Sequence, residues 1–248
     1  MARITLTRPP AAVGLAWIKA GWNLFKQAPV PWTGMTALVF LVLMLLGVIP
    51  VLGGLAVHVL SPFVVAGFLA AARGSERGEP VNFTFLAAGW HEGRQALLTM
   101  GVVYMLGTLL VFSLVGWLTG GDLAALVAQV QNPAELTPEE ARAITDKALP
   151  ALGLGALLFA PLLMATWFSP GLVLFERFPA GQALWWSLWA CAVNWRPILV
   201  YSLVLGLAGM VALMIPLGLG LLVFVPWTLT STYAAYQDIF APVEEQAS

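Results

Sequence analysis

Apolar residues run in long blocks along this chain, and polar ones gather at the block ends. Four stretches hold no Asp, Glu, Lys or Arg: 27–72, 95–121, 148–175 and 197–237. A membrane-spanning helix needs about 20 apolar residues, with a range of roughly 17–25. A charge at its centre costs about 2.5–3.5 kcal/mol on the insertion scale. The second and third blocks each suit one span. The first and fourth suit two, divided by Ile49-Pro50-Val51-Leu52-Gly53-Gly54 and by Ile215-Pro216-Leu217-Gly218-Leu219-Gly220. Proline removes a helix donor, and the glycines are expected to permit the sharp reversal. The pattern predicts six spans, near 32–50, 54–73, 96–118, 151–175, 197–215 and 219–238.

The half-polar segments between blocks follow a helical period. In Pro10–Gln27, the residues Leu15, Ile18, Trp22 and Phe25 share one face and Lys19, Asn23 and Lys26 the other. Such a segment is too polar to span and suits a helix in the headgroup layer. Pro29 and Pro31 are expected to end it, and Trp32 to mark entry to the first span. Phe83–Arg94 and Phe178–Trp195 read as second and third interfacial helices, the last with Trp185, Leu188, Trp189 and Ala192 as its apolar face. Ala20–Ala28 and Ala88–Ala96 share the pattern A-G-W-x-x-x-[KR]-Q-A. Ser61-Pro62 and Ser169-Pro170 recur in two spans, with Val225-Pro226 at the corresponding place in the sixth. At Ser61-Pro62 neighbouring groups should re-satisfy the carbonyl that the proline frees. The expected fold is therefore all-α: a polytopic membrane bundle of six transmembrane helices with three interfacial amphipathic helices. It forms a single integral membrane domain over 1–248, in a three-fold internal repeat of about 10–73, 80–177 and 178–240.

The middle unit departs from the pattern. Its hairpin carries an insertion, Gly120–Leu149, where Asp122 can cap an amphipathic helix of Leu123, Leu126, Val127 and Val130. Thr137, Pro138 and Glu140 read as a second helix start, a capping box with proline at its first position. The tail Asp238–Ser248 is acidic and expected to be disordered.

Composition agrees with the blocks. Only 9% of the 248 residues are charged and 60% are hydrophobic, with a mean hydropathy of +0.89. Soluble domains carry about 25% charged residues, so the bilayer is the expected solvent. The net charge of −1 gives no field that would draw nucleic acid. Met1–Pro10 lacks an apolar run after its arginines, so no cleavable signal peptide is expected. Six spans put both termini on one side. That side would hold Arg3, Arg8, Lys19, Lys26, Arg73, Arg77, Arg94, Arg177 and Arg196, against Arg142 and Lys147 opposite. This bias predicts cytoplasmic termini in a multi-pass protein; in a bacterium the opposite side would be the periplasm.

Chemistry is sparse. There is one cysteine, Cys191, and two histidines, His58 and His91. No H-E-x-x-H, G-x-S-x-G, Walker loop or C-x-x-C is present, and no carboxylate lies inside a predicted span. No catalytic residue, metal site or cofactor is expected. His58, near the outer end of the second span, reads as a hydrogen-bonded neutral imidazole, and His91, Glu92 and Arg94 as a solvated polar face. Asn82-Phe83-Thr84 has the glycosylation spacing but falls on the inner side. Gly116-x-x-x-Gly120 has helix-dimer spacing. The sixth span ends in Thr228, Thr230, Ser231, Thr232, Tyr233 and Tyr236, a candidate packing face or substrate path. Lys19, Trp22, Lys26, Trp90, Arg94, Trp185, Trp189 and Arg196 are candidate interfacial lipid contacts.

Two stretches carry a family resemblance. Pro62–Leu86 reads P-F-x-x-x-G-F-x-x-A-x-R-G-x-x-x-G-E-P-V-x-F-x-x-L, and Gly14–Pro29 reads G-L-A-W-I-x-x-G-W-x-L-F-x-x-x-P. Both resemble uncharacterised bacterial six-helix membrane proteins, similar in style to the membrane domain beside some glycerophosphodiester phosphodiesterases. The resemblance implies an inner-membrane location and brings no activity with it. Two functions stay open. One is a non-enzymatic membrane scaffold whose partners are membrane lipids and a membrane protein or a second copy of itself. The other is a transporter or exporter of an apolar or amphiphilic substrate.

Overall fold

In the computed structural model, which describes residues 4–118 and 138–242, six helices are long and apolar enough to cross a membrane. The described chain runs β1 (Ile4–Leu6), α1 (Val13–Gln27), α2 (Pro29–Gly47), α3 (Leu52–Glu76), a 3-10 turn (Phe83–Ala87), α4 (Ala88–His91) and α5 (Arg94–Leu118). It continues with α6 (Pro138–Trp167), α7 (Ser169–Glu176), α8 (Ala180–Val193), α9 (Trp195–Met214), a 3-10 turn (Pro216–Gly218), α10 (Leu221–Ile239) and β2 (Phe240–Pro242). The candidate spans are 29–47, 52–76, 94–118, 148–176, 195–214 and 216–239. Leucine-rich faces such as Leu41, Leu45, Leu106, Leu110, Leu203 and Leu207 stand exposed, as they must where hydrocarbon replaces water. The fold is the expected all-α bundle, apart from one short antiparallel pair that joins Ile4 to Pro242 and Leu6 to Phe240. That pairing orders the first part of the C-terminal tail: Ile239 is fully buried and Phe240 nearly so. Residues 243–248 lie outside the described residues, as do the Asp122 cap, the 123–130 helix, the Thr137 cap and Gly120 of the glycine pair.

The first hairpin reverses by a different device from the expected one, while the second uses a glycine of its turn as expected. Gly53 and Gly54 lie inside α3, and the left-handed position belongs to Val51 (φ 61°). In the second hairpin Leu217 (φ 59°) and Gly218 (φ 68°) carry it. Gly53 serves proximity instead: a Cβ there would stand 1.8 Å from the Leu46 carbonyl oxygen. Gly220 has the same task, 2.3 Å from the oxygen of Ala212. Each hairpin thus closes its two helices over a glycine, at the cost of left-handed strain on a bulky residue, about 1–2 kcal/mol.

The prolines are repaired locally. Pro62 leaves the His58 carbonyl without its helical donor, and Ser61 Oγ donates to that oxygen at 2.9 Å. Pro170 leaves Thr166 in the same position, and Ser169 Oγ donates to it at 3.2 Å. The serine before each proline restores the lost bond from within its own turn.

The fourth span differs most from expectation. Its helix is continuous from Pro138, so the end of the insertion belongs to α6. The break falls at Phe168, and Ser169-Pro170 opens α7 within the candidate span 148–176. There the Ser187 hydroxyl, from α8, accepts from Phe168 N–H at 2.9 Å and donates to Met164 O at 2.7 Å. It takes the place of the direct Phe168-to-Met164 helical bond, as an inserted side chain does at a helix kink.

The three segments read as interfacial helices behave unequally. α1 is packed into protein: Gly14, Trp17, Ile18, Gly21 and Phe25 are buried, while Leu15 is 51% exposed. The buried stripe is rotated from the expected one because the glycines set the contact. A Cβ on Gly14 would meet Pro197 O at 2.4 Å, and one on Gly21 would meet Ser231 N at 2.3 Å. Pro29 and Pro31 lie in the first turn of α2, and Trp32 is fully buried and stacked on Phe68. Phe83–Arg94 is not one helix. It is the 3-10 turn and α4, broken at Glu92-Gly93, where Gly93 takes φ 81°, and Arg94 opens α5. α8 buries small residues, Ala183, Ser187, Ala190 and Cys191. Its expected apolar face points outward, with Trp185 63% exposed and Ala192 exposed too.

Candidate functional site

The polar end of α10 is built by packing against α1 and α9. Thr230 Oγ1 donates to Gly21 O at 3.0 Å, and Trp227 Nε1 donates to Ile18 O at 3.0 Å. Tyr201 on α9 is buried, its hydroxyl 2.9 Å from Ser231 Oγ, 3.0 Å from Thr232 Oγ1 and 3.2 Å from Thr228 O. Backbones that approach over glycine bring donors and carbonyls within reach, so small hydroxyl residues join these helices. The Thr228 side chain, unlike its carbonyl, stands apart from this cluster. Its Oγ1 is buried without a partner among the described residues, and Thr228 borders an apolar cavity of about 300 Å³ between α2, α3 and α10.

One turn further along α10, a second polar set forms where α3 and α7 end. Tyr233 OH donates to Glu76 Oε2 at 2.8 Å, and Gln237 Nε2 donates to the same oxygen at 2.6 Å. Tyr236 OH donates to Glu176 Oε1 at 3.3 Å. The Arg73 guanidinium lies over the Phe175 ring at 4.6 Å, a cation–π contact. Asp238 closes the set by accepting from Trp17 Nε1 at 2.6 Å, while its carbonyl accepts from the Thr7 hydroxyl. Glu76, Glu176 and Asp238 were not among the site residues expected from the sequence. Their signal was their position, each within a turn of a span end.

The expected lipid contacts divide. Lys19, Lys26, Arg94, Arg196, Trp185 and Trp189 are exposed, and Trp90 is 47% exposed with its ring stacked 4.4 Å from Phe63. Trp22 is half-buried between Phe25 and Trp227 and serves packing. His58 Nδ1 sits 2.8 Å from Gly54 O and its ring 5.6 Å from Tyr104, the hydrogen-bonded arrangement expected of it. His91, Glu92 and Arg94 are exposed and border a groove of about 1070 Å³ that runs to Arg177 and Ala180. Asn82 Oδ1 caps the 3-10 turn, accepting from Thr84 N at 2.9 Å. In the Pro62–Leu86 stretch, Gly67 lets Leu86 backbone approach and Gly74 faces the Phe85 ring, so the motif is a folded-back packing unit. Burial pushes the Cys191 thiol up to about 12, since no charge nearby offsets its desolvation. Among the described residues no three His, Cys, Asp or Glu side chains group in a way that could hold a metal ion.

A probable inner membrane protein of Burkholderia thailandensis is 30% identical to this chain over 244 residues, covering 93% of this chain and 89% of its own length. No family model matches the chain, and no solved structure matches it.

Proposed function

We propose that this chain, which belongs to the family of that probable inner membrane protein, is a non-enzymatic platform in the bacterial inner membrane that packs against lipids and a membrane protein partner. The observation that supports this most is the hydroxyl-rich end of α10. Thr230, Ser231 and Thr232 are buried, and each is bonded to α1, α9 or its own helix. Groups so occupied bind helices together and offer little to a passing solute. Both termini lie on the cytoplasmic side in this reading, by the positive-inside bias. A periplasm-dependent reporter fused after Gly121 then gives signal, and one fused after Glu245 does not. The likeness to the phosphodiesterase-associated membrane group finds no support in the comparisons and carries no part of this reading.

The transport reading has one observation in its favour, the apolar cavity beside Thr228 and its unpartnered hydroxyl. Two measurements separate the readings. The protein is released gently from its own membrane for native mass spectrometry, and purified protein is reconstituted in liposomes with a fluorescent amphiphile. A stoichiometric protein partner without movement of the amphiphile supports the platform. Protein-dependent movement of the amphiphile, abolished by Thr228→Phe in the cavity wall, overturns it.

A further inference from the structure

Two cationic side chains line one groove. Arg94 opens α5, and Arg177 follows α7 in a left-handed conformation (φ 55°). Both border the groove of about 1070 Å³, together with Trp90, His91, Glu92, Gln95, Thr99 and the start of α8. Neither guanidinium has a hydrogen bond, ion pair or ring contact among the described residues. Glu92 is the single carboxylate of the lining, so the two arginines leave it with a net positive charge. The volume lies just above the roughly 300–1,000 Å³ usual for ligand sites.

The groove's position narrows the ligand further. Arg94 and Glu176 are the ends of two candidate spans, so the groove opens at the level of lipid headgroups. Its wall continues along α5 from Gln95 and Thr99 to Val102, Leu106 and Leu110, all exposed and at helical spacing on one face. From Thr99 to Leu110 that stripe is about 16 Å long at 1.5 Å per residue, the reach of an acyl chain. A polar groove that leads directly onto an apolar track fits an amphiphile and not a free anion. The exposed Trp90 indole stands where such rings favour the headgroup layer. The first turns of α5 and α8 border the groove, and neither carries an acidic residue to oppose the helix dipole.

We infer that this groove is a binding site for an anionic phospholipid, the phosphodiester held by Arg94 and Arg177 and one acyl chain laid along α5. Guanidinium pairs phosphate oxygens through two parallel hydrogen bonds, which a lysine cannot reproduce. Gln95 and Thr99 are placed to meet the polar hydrogens of a glycerol headgroup. The inference rests on the lipid-contacting part of the proposed function and not on its protein partner.

The test titrates delipidated full-length protein with phosphatidylglycerol, phosphatidylethanolamine and phosphatidylcholine, read by native mass spectrometry. All three lipids offer the phosphodiester, so the preference arises from the headgroup cation of the zwitterionic lipids, which the net positive groove repels; the wild type should hold phosphatidylglycerol about tenfold more tightly than either of them. Arg94→Gln with Arg177→Gln should abolish that preference. Lys19→Gln with Lys26→Gln, equally exposed but outside the groove, should keep it. Because both arginines are exposed and unpaired, the double variant should fold, which circular dichroism checks. The Lys variants of both arginines offer a second series, with weakened but detectable preference. Equal binding of the three lipids, a preference that survives the double Gln variant, or displacement of the lipid by millimolar inorganic phosphate would each overturn the inference. Partner capture, measured separately, reports on the platform alone, so either idea can fail without the other.

Discussion

The closest approach between α1 and the bundle can be tested at one atom. Replacing Gly21 with alanine puts a Cβ 2.3 Å from Ser231 N, 2.4 Å from its Cα and 2.5 Å from its Cβ. Those are backbone and near-backbone atoms of a spanning helix and cannot rotate aside, so α1 must move away from α10. Forced overpacking of this kind costs about 1–3 kcal/mol. The move also stretches the bonds from Thr230 Oγ1 to Gly21 O and from Trp227 Nε1 to Ile18 O, both 3.0 Å. These contribute about 0.5–1.5 kcal/mol each. Alanine returns up to about 1 kcal/mol of helix propensity. The net loss is then ~3 kcal/mol, a fall of about 6–12 °C in melting temperature for a chain of this size. Gly206→Ala is the control, since a Cβ there meets nothing within 4 Å. Both variants would be melted in the same detergent and followed by circular dichroism and tryptophan fluorescence, with Trp22 and Trp227 as reporters. If Gly21→Ala melts with Gly206→Ala, the claim that α1 is held by backbone proximity is wrong.

Asn194 is 2% exposed and both its side-chain polar atoms lack a partner among the described residues. Asn194→Leu, nearly isosteric, should raise stability by about 1–3 kcal/mol, and a lower melting temperature would refute this. Ser187→Ala removes the hydroxyl that bridges Phe168 N–H and Met164 O. It should cost about 1–2 kcal/mol and speed amide exchange at Phe168, and unchanged exchange there counts against the bridge. Cys191 is the chain's single cysteine, and burial holds its thiol near 12. Maleimide at pH 8 should therefore leave native protein unlabelled and label it stoichiometrically in denaturing SDS, because only the thiolate reacts. Rapid native labelling would show the thiol to be open. Glu76→Ala removes the acceptor shared by Tyr233 and Gln237. That carboxylate is exposed, so solvent screening limits the expected loss to ~1 kcal/mol, measured by the same melts.

The six spans were legible because charge is a sharp ruler in lipid. Each block end carries its own marker, such as Lys26, Arg73, Arg94 or Arg196. The serine-proline repairs were legible at Ser61 because donor and orphaned carbonyl are close neighbours in sequence. The face of α1 was not. Hydrophobicity favours Leu15 as much as Trp17, and the choice is made by Gly14 and Gly21 against atoms of Pro197 and Ser231, nearly two hundred residues on. The shared A-G-W pattern misleads in the same way. Gly21 faces backbone of α10, whereas Gly89 faces the side chains of Leu97 and Phe63. One pattern therefore meets two environments, a continuous packed helix in the first case and a turn broken at Gly93 in the second. Arg177 could not be joined to Arg94 from sequence because the break at Phe168 that aims α7 depends on a hydroxyl from α8.

The bonded carboxylates of this bundle gather at one side, and that arrangement links the fold to the proposed role. The ends of α3, α7 and α10 that share one face carry Glu76, Glu176 and Asp238, each accepting from a tyrosine, glutamine or tryptophan of another element. The opposite ends of α2, α3, α9 and α10 are turned through Val51 and Leu217, with no ionisable side chain between Ile49 and Gly53 or between Ile215 and Gly220. A pathway for a polar solute needs polar groups along its length. The span ends Glu76, Glu176 and Asp238 bring their carboxylates to one headgroup level, and beyond them Thr230, Ser231 and Thr232 bond between helices. A surface that must hold lipid headgroups or a partner needs rigid polar groups at that level alone. The bonded network supplies the rigidity at this face, while Arg94 and Arg177, left unpaired beside it, supply the charge.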